Sequence, residues 1–176
     1  MTKISMIVAL SSNRVISTYG KMPWAIPEDI KYFKDMTLGK PVIMGAKTFT
    51  STGCGIFLGR KNIIMTRCVG AKINMNEDYT DTSCHVATNV AEALKAAGDV
   101  DEIMVIGGEL IYNLFLPIAT KLYITDIHKI YLGDRYFPQL NTSEWVETSR
   151  RDVLEVGSVP SHSYLELSRK VKDTDD

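Results

Sequence analysis

The chain has 176 residues, of which 45% are hydrophobic and 23% are charged, and its formal net charge at pH 7 is −1. This length and composition predict one globular domain whose core needs neither disulfides nor metals. The near-zero charge provides no broad basic field, so we expect no nucleic acid partner, and no apolar run is long enough to predict a membrane span.

The pattern of apolar residues predicts alternating strands and helices along most of the chain. Nearly continuous apolar runs indicate strands buried on both faces, and apolar residues at helical spacing indicate helices. Predicted strands cover residues 4–10, 41–45, 60–66, 83–87, 102–106 and 121–127. Predicted helices cover residues 27–37, 46–52, 89–97 and 109–116. Two further strands, at about 144–153 and 161–169, are typical of a hairpin.

This alternation predicts a single α/β domain over residues 1–169. We expect a mostly parallel central sheet with helices on both faces and an antiparallel hairpin at its C-terminal end. Residues 11–26 read as one long loop, and a loop of that length in a small domain is more often functional than idle. Residues 68–82 are polar and predict no element, and the charged tail 170–176 is expected to be disordered.

The helix predicted over residues 27–37 carries an acid on its apolar face. At about 100° per residue, Asp29 falls beside Phe33, whereas Glu28 falls on the solvent face. A carboxylate on an apolar face is costly unless a partner compensates it. Asp29 is therefore either an acid that bonds the free N–H groups of its own first turn, or a pocket acid that binds a ligand. The bulky Trp24 and two prolines just before the helix favour the pocket.

Two glycine turns that follow predicted strands are candidate phosphate sites. In Ile106-Gly107-Gly108 the glycines would let backbone N–H groups approach a pyrophosphate, although a tight turn without a ligand needs glycine as well. Gly45 opens a similar turn, in which Thr48 could donate its hydroxyl to a phosphate. Lys47 beside it is either a phosphate ligand or an ordinary solvated lysine.

Basic residues at the two ends of the predicted strand 60–66 could bind further anionic groups. Arg67, after Thr66, could hold the 2′-phosphate of an NADP-type cofactor through its planar fork, or it could be an isolated surface arginine. Either Arg60 or Lys61 could bind a substrate carboxylate, or both could be solvated. The sequence contains no Ser/His/Asp or Cys/His system. The lone acid Asp29 and the phosphate turns therefore favour hydride transfer from a nicotinamide cofactor over hydrolysis.

In their order and spacing these residues resemble the dihydrofolate reductase family over about residues 4–168. The matching pieces include Ile7-Val8-Ala9, Arg14-Val15-Ile16, Met22-Pro23-Trp24, Pro27-Glu28-Asp29, Pro41-Val42-Ile43-Met44-Gly45, Gly59-Arg60-Lys61-Asn62, Ile106-Gly107-Gly108, Ile111-Tyr112 and Ser161-His162-Ser163-Tyr164. Each piece is weak alone, but together they are specific. The resemblance implies that NADPH reduces 7,8-dihydrofolate to 5,6,7,8-tetrahydrofolate, with hydride passing to pterin C6 and a proton reaching N5.

The resemblance also implies a role for each matching residue. Asp29 would pair with the pterin 2-amino group and N3, Trp24 would help to hold a water near it, and Met22 would belong to a lid over the nicotinamide. Together with Tyr112 these residues make up the expected catalytic set. Dihydrofolate would also contact Ile7, Val8, Ala9, Ile30, Phe33, Ser51, Thr125 and, through its glutamate α-carboxylate, Arg60. NADPH would contact Ala9, Ile16, Gly45, Lys47, Thr48, Thr66, Arg67, Ile106, Gly107, Gly108 and Tyr112. A cis peptide is implied between Gly107 and Gly108.

Four places depart from the family pattern. Ser17 stands where many members have glycine, Ala46 replaces a frequently basic residue, and Cys54–Leu58 replaces a proline-rich segment. Glu109 puts an acid beside the glycine turn, and we expect its side chain to point to water.

Two alternatives remain open at this point. The pyrimidine reductase of riboflavin synthesis has the same fold, but it accounts poorly for Asp29 and Trp24. The other is a non-catalytic pterin- or nucleotide-binding module, against which Asp29 and Tyr112 beside two phosphate sites weigh. Because no predicted element presents an obvious interface, we expect a monomer.

The cysteines and histidines show no metal-ligand or Cys-x-x-Cys spacing. They are Cys54, Cys68, Cys84, His85, His128 and His162. An odd number of scattered cysteines and the absence of a signal-peptide pattern lead us to expect a cytoplasmic protein without a bound metal.

Overall fold

A computed structural model of the chain describes residues 1–51, 56–67 and 84–171. The predicted segment 68–82, Cys54 and all but the first two residues of the predicted tail therefore lie outside the described residues. The strands are β1 (Lys3–Ser11), β2 (Val15–Ser17), β3 (Val42–Gly45), β4 (Asn62–Met65), β5 (Cys84–Ala87), β6 (Glu102–Gly107), β7 (Lys121–Ile127), β8 (Arg135–Tyr136), β9 (Trp145–Val153) and β10 (His162–Arg169). The helices are α1 (Pro27–Thr37), α2 (Ala46–Ser51), α3 (Val90–Ala97) and α4 (Glu109–Phe115).

Eight strands form one sheet in the order β5-β4-β3-β6-β1-β7-β10-β9. The strands from β5 to β7 in that order run parallel, whereas β10 pairs antiparallel with both β7 and β9. This topology confirms the predicted mixed sheet with a C-terminal antiparallel hairpin.

Helices cover both faces of the sheet, which explains the nearly continuous apolar runs of its strands. Phe33 of α1 and Phe49 of α2 pack on one face, and Ala93 of α3 and Phe115 of α4 pack on the other. Within β1, Ile7 belongs to the α1 face and Val8 to the α4 face, because successive side chains alternate. The side chains that face α1 are therefore the ones that can surround Asp29.

The sheet divides at the C-terminal ends of β1 and β6. These two strands pair only along Lys3–Met6 and Glu102–Val105. Beyond that point β1 continues beside β7 as far as Ser11, and β6 continues beside β3 as far as Gly107. Ligands of open α/β sheets bind where strands part in this way at their carboxyl ends.

The prediction of an unbroken loop over residues 11–26 is wrong, because β2 lies within it. This strand pairs antiparallel with β8 in a separate two-stranded sheet. A Cβ atom at Gly133 would lie 2.2 Å from Cγ1 of Val15, so only glycine allows β2 to approach this closely. Strands of two and three residues are too short to show alternation, and their pairing depends on this contact between distant segments.

Helix α1 begins and ends at the predicted residues. The carbonyl of Ile26 accepts the backbone N–H of Asp29 at 3.0 Å, and Pro27 occupies the first turn. The Thr37 hydroxyl bonds the carbonyl of Phe33 at 2.8 Å in the last turn. Within the described residues, no helix combines enough length and apolarity to cross a membrane.

Candidate active site

The carboxyl group of Asp29 is buried between α1 and the sheet. Asp29 is only 9% exposed. The hydroxyl of Thr125, in β7, donates a hydrogen bond to Asp29 Oδ1 at 2.6 Å. Thr125 is itself buried, so the contact forms away from solvent. Because this partner comes from another element and not from the first turn of α1, the geometry favours the pocket interpretation.

Burial controls the electrostatics of Asp29. Loss of solvent raises the pKa of this carboxyl, because the charged form is poorly hydrated in the interior. The Thr125 hydroxyl and the charge of His162 lower the pKa, and the charge of Glu28 raises it. The net shift is upward. The protein therefore compensates the charge of Asp29 only in part, as expected of a carboxylate that binds a ligand.

Glu28, the neighbouring acid, lies on the opposite side of α1. Its carboxylate pairs with Arg151 at 3.2 Å, and both side chains are more than half exposed. Such a surface pair contributes little to stability. The two adjacent acids therefore have different environments, as the helical wheel predicts.

Trp24, just before α1, is buried against the end of β7. It is 7% exposed, packs with Ile26 and Ile127, and meets Tyr131 edge to face at 5.4 Å. Among the described residues, the indole Nε1 has no hydrogen-bond partner. A buried indole N–H normally has one, so this donor fits the water-binding role that the resemblance implies.

In the segment before Trp24, Ser17 and Tyr19 are held by hydrogen bonds, whereas Met22 is exposed to solvent. The backbone N–H of Tyr19 donates to Asp134 Oδ1 at 3.1 Å, and the N–H of Asp134 donates to the carbonyl of Ser17 at 3.2 Å. Met22 follows and is 51% exposed. An exposed side chain that follows a hydrogen-bonded segment fits a lid over the neighbouring site.

Tyr112 spans the division of the sheet. Its buried hydroxyl lies 2.7 Å from the carbonyl oxygen of Ile7 on β1 and 2.9 Å from that of Ile106 on β6. Burial raises the pKa of Tyr112, so the phenol stays protonated and donates to these acceptors. The hydroxyl thereby fixes the two strands where their own pairing has ended, beside Ala9 and Gly107.

The glycine turn after β6 lies against two other parts of the site. The peptide between Gly107 and Gly108 is cis, as the resemblance implies. Gly107 has φ +117°, and a Cβ there would lie 3.1 Å from atoms of the Tyr112 ring. A Cβ at Gly108 would lie 3.5 Å from Oγ1 of Thr48, so the two turns adjoin. Backbone N–H groups of a glycine turn can approach a phosphate closely, so two adjoining turns fit a dinucleotide phosphate.

Arg60 is fixed at the other end of α1. Its Nε donates to Thr37 Oγ1 at 2.9 Å, Nη1 donates to the carbonyl of Leu58 at 2.5 Å, and Nη2 donates to that of Lys34 at 2.6 Å. Burial lowers its pKa. A guanidinium has five N–H groups, so two remain for a carboxylate.

The structure brings most, but not all, of the expected side chains to this side of the sheet. The exceptions are Val8 and Tyr112, which belong to the core cluster on the α4 face, and Ile16, which packs against that cluster. Ile30 is 46% exposed at the pocket edge, and the Ser51 hydroxyl donates to the carbonyl of Thr48 at 3.0 Å. Ile16 and Thr66 are partly buried, while Lys47 and Arg67 are exposed.

A family model for dihydrofolate reductase matches residues 3–165. The chain belongs to the dihydrofolate reductase family. A dihydrofolate reductase of Staphylococcus haemolyticus is 33% identical over 97% of each chain, and one of Haemophilus influenzae is 40% identical over 80% of this chain and 82% of its own. The solved dihydrofolate reductase of Enterococcus faecalis, complexed with NADP(H) and RAB-propyl, has a TM-score of 0.81 and 27% identity. The superposition with the Enterococcus faecalis protein covers 96% of this chain and 97% of that one.

Glu109 corrects one expectation about this member of the dihydrofolate reductase family. Its side chain does not simply point to water. Oε1 accepts the backbone N–H of Tyr136 at 3.2 Å, and Oε2 lies 3.6 Å from Nη1 of Arg135. The acid beside the glycine turn is therefore held against β8, away from the turn.

Two further residues at the site, His162 and Tyr164, were not expected there. Their spacing on β10 shows that they share a face, but only the pairing with β7 shows that this is the face of Asp29. Within the described residues, no group of three His, Cys, Asp or Glu side chains could hold a metal ion.

Replacing Asp29 should stabilise the fold. The folded-state pKa is raised above the unfolded value near 3.8, so the native protein binds more protons between those values and loses stability as pH rises through the folded pKa. Asp29→Asn removes this cost. At pH 7 we expect its free energy of unfolding to be about 1 kcal/mol higher, or roughly 2–4 °C in Tm.

Thermal unfolding against pH checks this expectation. The gain should fade as the pH approaches the unfolded-state value, and Glu28→Gln, on the exposed face, should show no such dependence. An Asn variant that is less stable at pH 7, or a gain independent of pH, would contradict the account.

Proposed function

We propose that Asp29 binds and activates 7,8-dihydrofolate, which this chain reduces to 5,6,7,8-tetrahydrofolate with NADPH. The observation that carries the assignment is the buried carboxylate of Asp29, which accepts a hydrogen bond from the Thr125 hydroxyl next to the division of the sheet. A carboxylate in this position can accept two parallel N–H groups, and the pterin 2-amino group and N3 present such a pair. These two N–H groups would stabilise the negative charge of Asp29, which the protein alone compensates only in part.

The apolar walls and Arg60 would orient the rest of the substrate. Ile7 and Ala9 on β1 and Phe33 on α1 would hold the ring, with Ile30 at the pocket edge. Phe33 meets Phe57 edge to face at 5.6 Å, which extends this wall towards Arg60. The two uncommitted N–H groups of Arg60 would bind the glutamate α-carboxylate.

The turns at Gly45 and Gly107-Gly108, with Thr48, would hold the dinucleotide phosphates, and Lys47 and Arg67 would add positive charge. When bound, NADPH supplies the hydride that reaches pterin C6. The Tyr112 hydroxyl would keep the carbonyls of Ile7 and Ile106 in place between the two ligands.

Proton delivery to N5 would come from water. Asp29 would bond the side of the pterin that is far from N5, so it cannot hand over the proton itself. Water would enter beside the half-exposed Met22. The negative charge of Asp29 would raise the proton affinity of the bound ring.

Neither alternative function is favoured. The family match and the relatives identify dihydrofolate reductases and not the pyrimidine reductase of riboflavin synthesis. The same matches are to enzymes, so they do not favour a non-catalytic binding module either. We further propose a cytoplasmic monomer that binds no nucleic acid, supported by the net charge of −1 and by a site assembled within one chain.

Asp29→Asn tests the substrate assignment, because it keeps the shape and removes the charge. We expect kcat/KM for dihydrofolate at pH 7 to fall by about 10²–10⁴-fold, with NADPH binding little changed. The loss should shrink as pH falls, because solution then supplies substrate already protonated at N5. The measurement is dihydrofolate-dependent NADPH oxidation against pH.

Glu28→Gln is the matched control, since it makes the same change on the exposed face of α1. Greater damage in Glu28→Gln, or an Asn variant that does not recover at low pH, would show that the role given to Asp29 is wrong. Absence of oxidation in the unmodified chain would reject the function itself.

Arg67→Leu tests the cofactor assignment. NADPH should outperform NADH in the unmodified chain, and the substitution should remove most of that preference. A charge-assisted contact is worth about 1.5–3 kcal/mol, or about 10- to 150-fold. Arg150→Leu, which alters an exposed arginine on the edge strand β9, should leave the ratio of kcat/KM values unchanged. Equal ratios in wild type and Arg67→Leu would contradict the assignment.

A further inference from the structure

Glu109 directly follows the turn at Gly107-Gly108, where the proposed function places a phosphate. An unpaired carboxylate beside a phosphate is unfavourable, because like charges repel. Both oxygens of Glu109 are engaged elsewhere, since Oε1 accepts the backbone N–H of Tyr136 at 3.2 Å and Oε2 lies 3.6 Å from Nη1 of Arg135. The Glu109 side chain is only 27% exposed, so these contacts are partly shielded from solvent. They give the acid a reason to stand at an otherwise unfavourable position.

The contacts of Glu109 tie β8 to α4. Within the described residues, β8 belongs to a two-stranded sheet whose other strand is β2. Tyr136 lies opposite Val15, and Arg135 lies opposite Ser17. A pair of strands this short is at best marginally stable without further support. Glu109 provides such support from outside the pair.

The same pair of strands leads into the proposed lid. Strand β2 ends at Ser17, the first residue of the segment 17–22, which we call the lid segment. The carbonyl of Ser17 accepts the backbone N–H of Asp134 at 3.2 Å. Asp134 Oδ1 in turn accepts the backbone N–H of Tyr19 at 3.1 Å. The lid segment is therefore held by the residue that directly precedes β8.

These hydrogen bonds form one continuous series. It begins beside the glycine turn at Glu109, crosses to Tyr136, follows β8 back to Asp134, and ends at Tyr19 in the lid segment. Coupling between two parts of a protein can follow such a series, and measured coupling energies decide whether it does.

We propose that Glu109 is a positioning residue for the lid: by holding β8 against α4, its carboxylate keeps the lid segment in place over the bound nicotinamide during hydride transfer. The effect on hydride transfer rests on the proposed function, whereas the link between Glu109 and the lid segment does not. Loss of the Glu109 contacts should loosen β8 without unfolding the chain. Phe137, next to β8, is 2% exposed and meets the ring of Tyr112 edge to face at 5.0 Å, so it still holds this region.

Two substitutions at Glu109 test the link in the free protein. Glu109→Ala removes the acceptor, whereas Glu109→Gln keeps an oxygen that can accept the Tyr136 N–H. Hydrogen exchange of single backbone amides, followed by NMR, reports how often the lid segment opens. In Glu109→Ala we expect the amides of Tyr19 and Asp134 to exchange about two- to fivefold faster, the size that a partly exposed contact supports. In Glu109→Gln their exchange should stay close to that of the unmodified chain.

Glu144→Ala is the matched control for these exchange measurements. Glu144 is also a partly exposed acid that pairs with an arginine, Arg169, at 3.0 Å. Its loss should leave the amides of Tyr19 and Asp134 unchanged. Unchanged exchange in Glu109→Ala, an equal acceleration in Glu144→Ala, or equal acceleration in Glu109→Gln and Glu109→Ala would overturn the proposal.

Single-turnover hydride transfer with saturating NADPH and dihydrofolate is the second readout. Glu109→Ala should slow this step by about two- to fivefold, and Glu109→Gln should restore it. The Kd for dihydrofolate should not change, because Asp29 and its partner Thr125 are untouched. A rise in that Kd as large as the loss in rate would indicate general structural damage and overturn the proposal.

A double-mutant cycle with Asp134→Ala decides whether Glu109 acts through the lid segment. In a chain that already lacks the Asp134 acceptor, Glu109→Ala should slow hydride transfer little further. An equal loss with and without Asp134 would show that Glu109 acts by another route, and the proposal would fall. An unmodified chain that does not oxidise NADPH with dihydrofolate would reject the proposed function instead, and the exchange measurements would still decide the link.

Discussion

Burial of one carboxylate against an apolar sheet face is the constraint on which the site depends. Asp29 is placed there by the first turn of α1, and Thr125 is the neighbour whose hydroxyl contacts it. Removal from water raises its pKa and makes its charge costly to the fold. A ligand that presents paired N–H groups would recover that cost, so an unfavourable feature of the free protein becomes selective for substrate. This is the usual opposition between stability and activity at a binding site.

The separation of β1 from β6 determines where the proposed cofactor-binding part of the site lies. Because β1 and β6 separate after Met6 and Val105, the chain must hold them by other means, and the Tyr112 hydroxyl does so. The same ring lies 3.1 Å from the position of a Cβ at Gly107, whose φ of +117° also favours glycine. The proposed cofactor cradle and the proposed pterin pocket therefore meet at one buried tyrosine.

The sequence predicted those features that depend on neighbouring residues along the chain. The bounds of α1, the opposite environments of Glu28 and Asp29, and the glycine turn all follow from residue spacing and backbone preference. Contacts between distant segments were not predictable in the same way. The β2–β8 pair depends on Gly133, because a Cβ there would clash with Val15 and with the carbonyl oxygen of Ser17. The placement of His162 on the face of Asp29 depends on the register of β10. Both require the tertiary structure.

The most direct test of the central claim compares two changes made to the same contact. Dihydrofolate and an analogue without the 2-amino group would be titrated into the unmodified chain and into Asp29→Asn. If Asp29 accepts that amino group, its removal should raise Kd by about 10- to 150-fold in the unmodified chain and far less in the variant. An equal loss in both proteins would show that the buried carboxylate does not bind the pterin, and the account would fail.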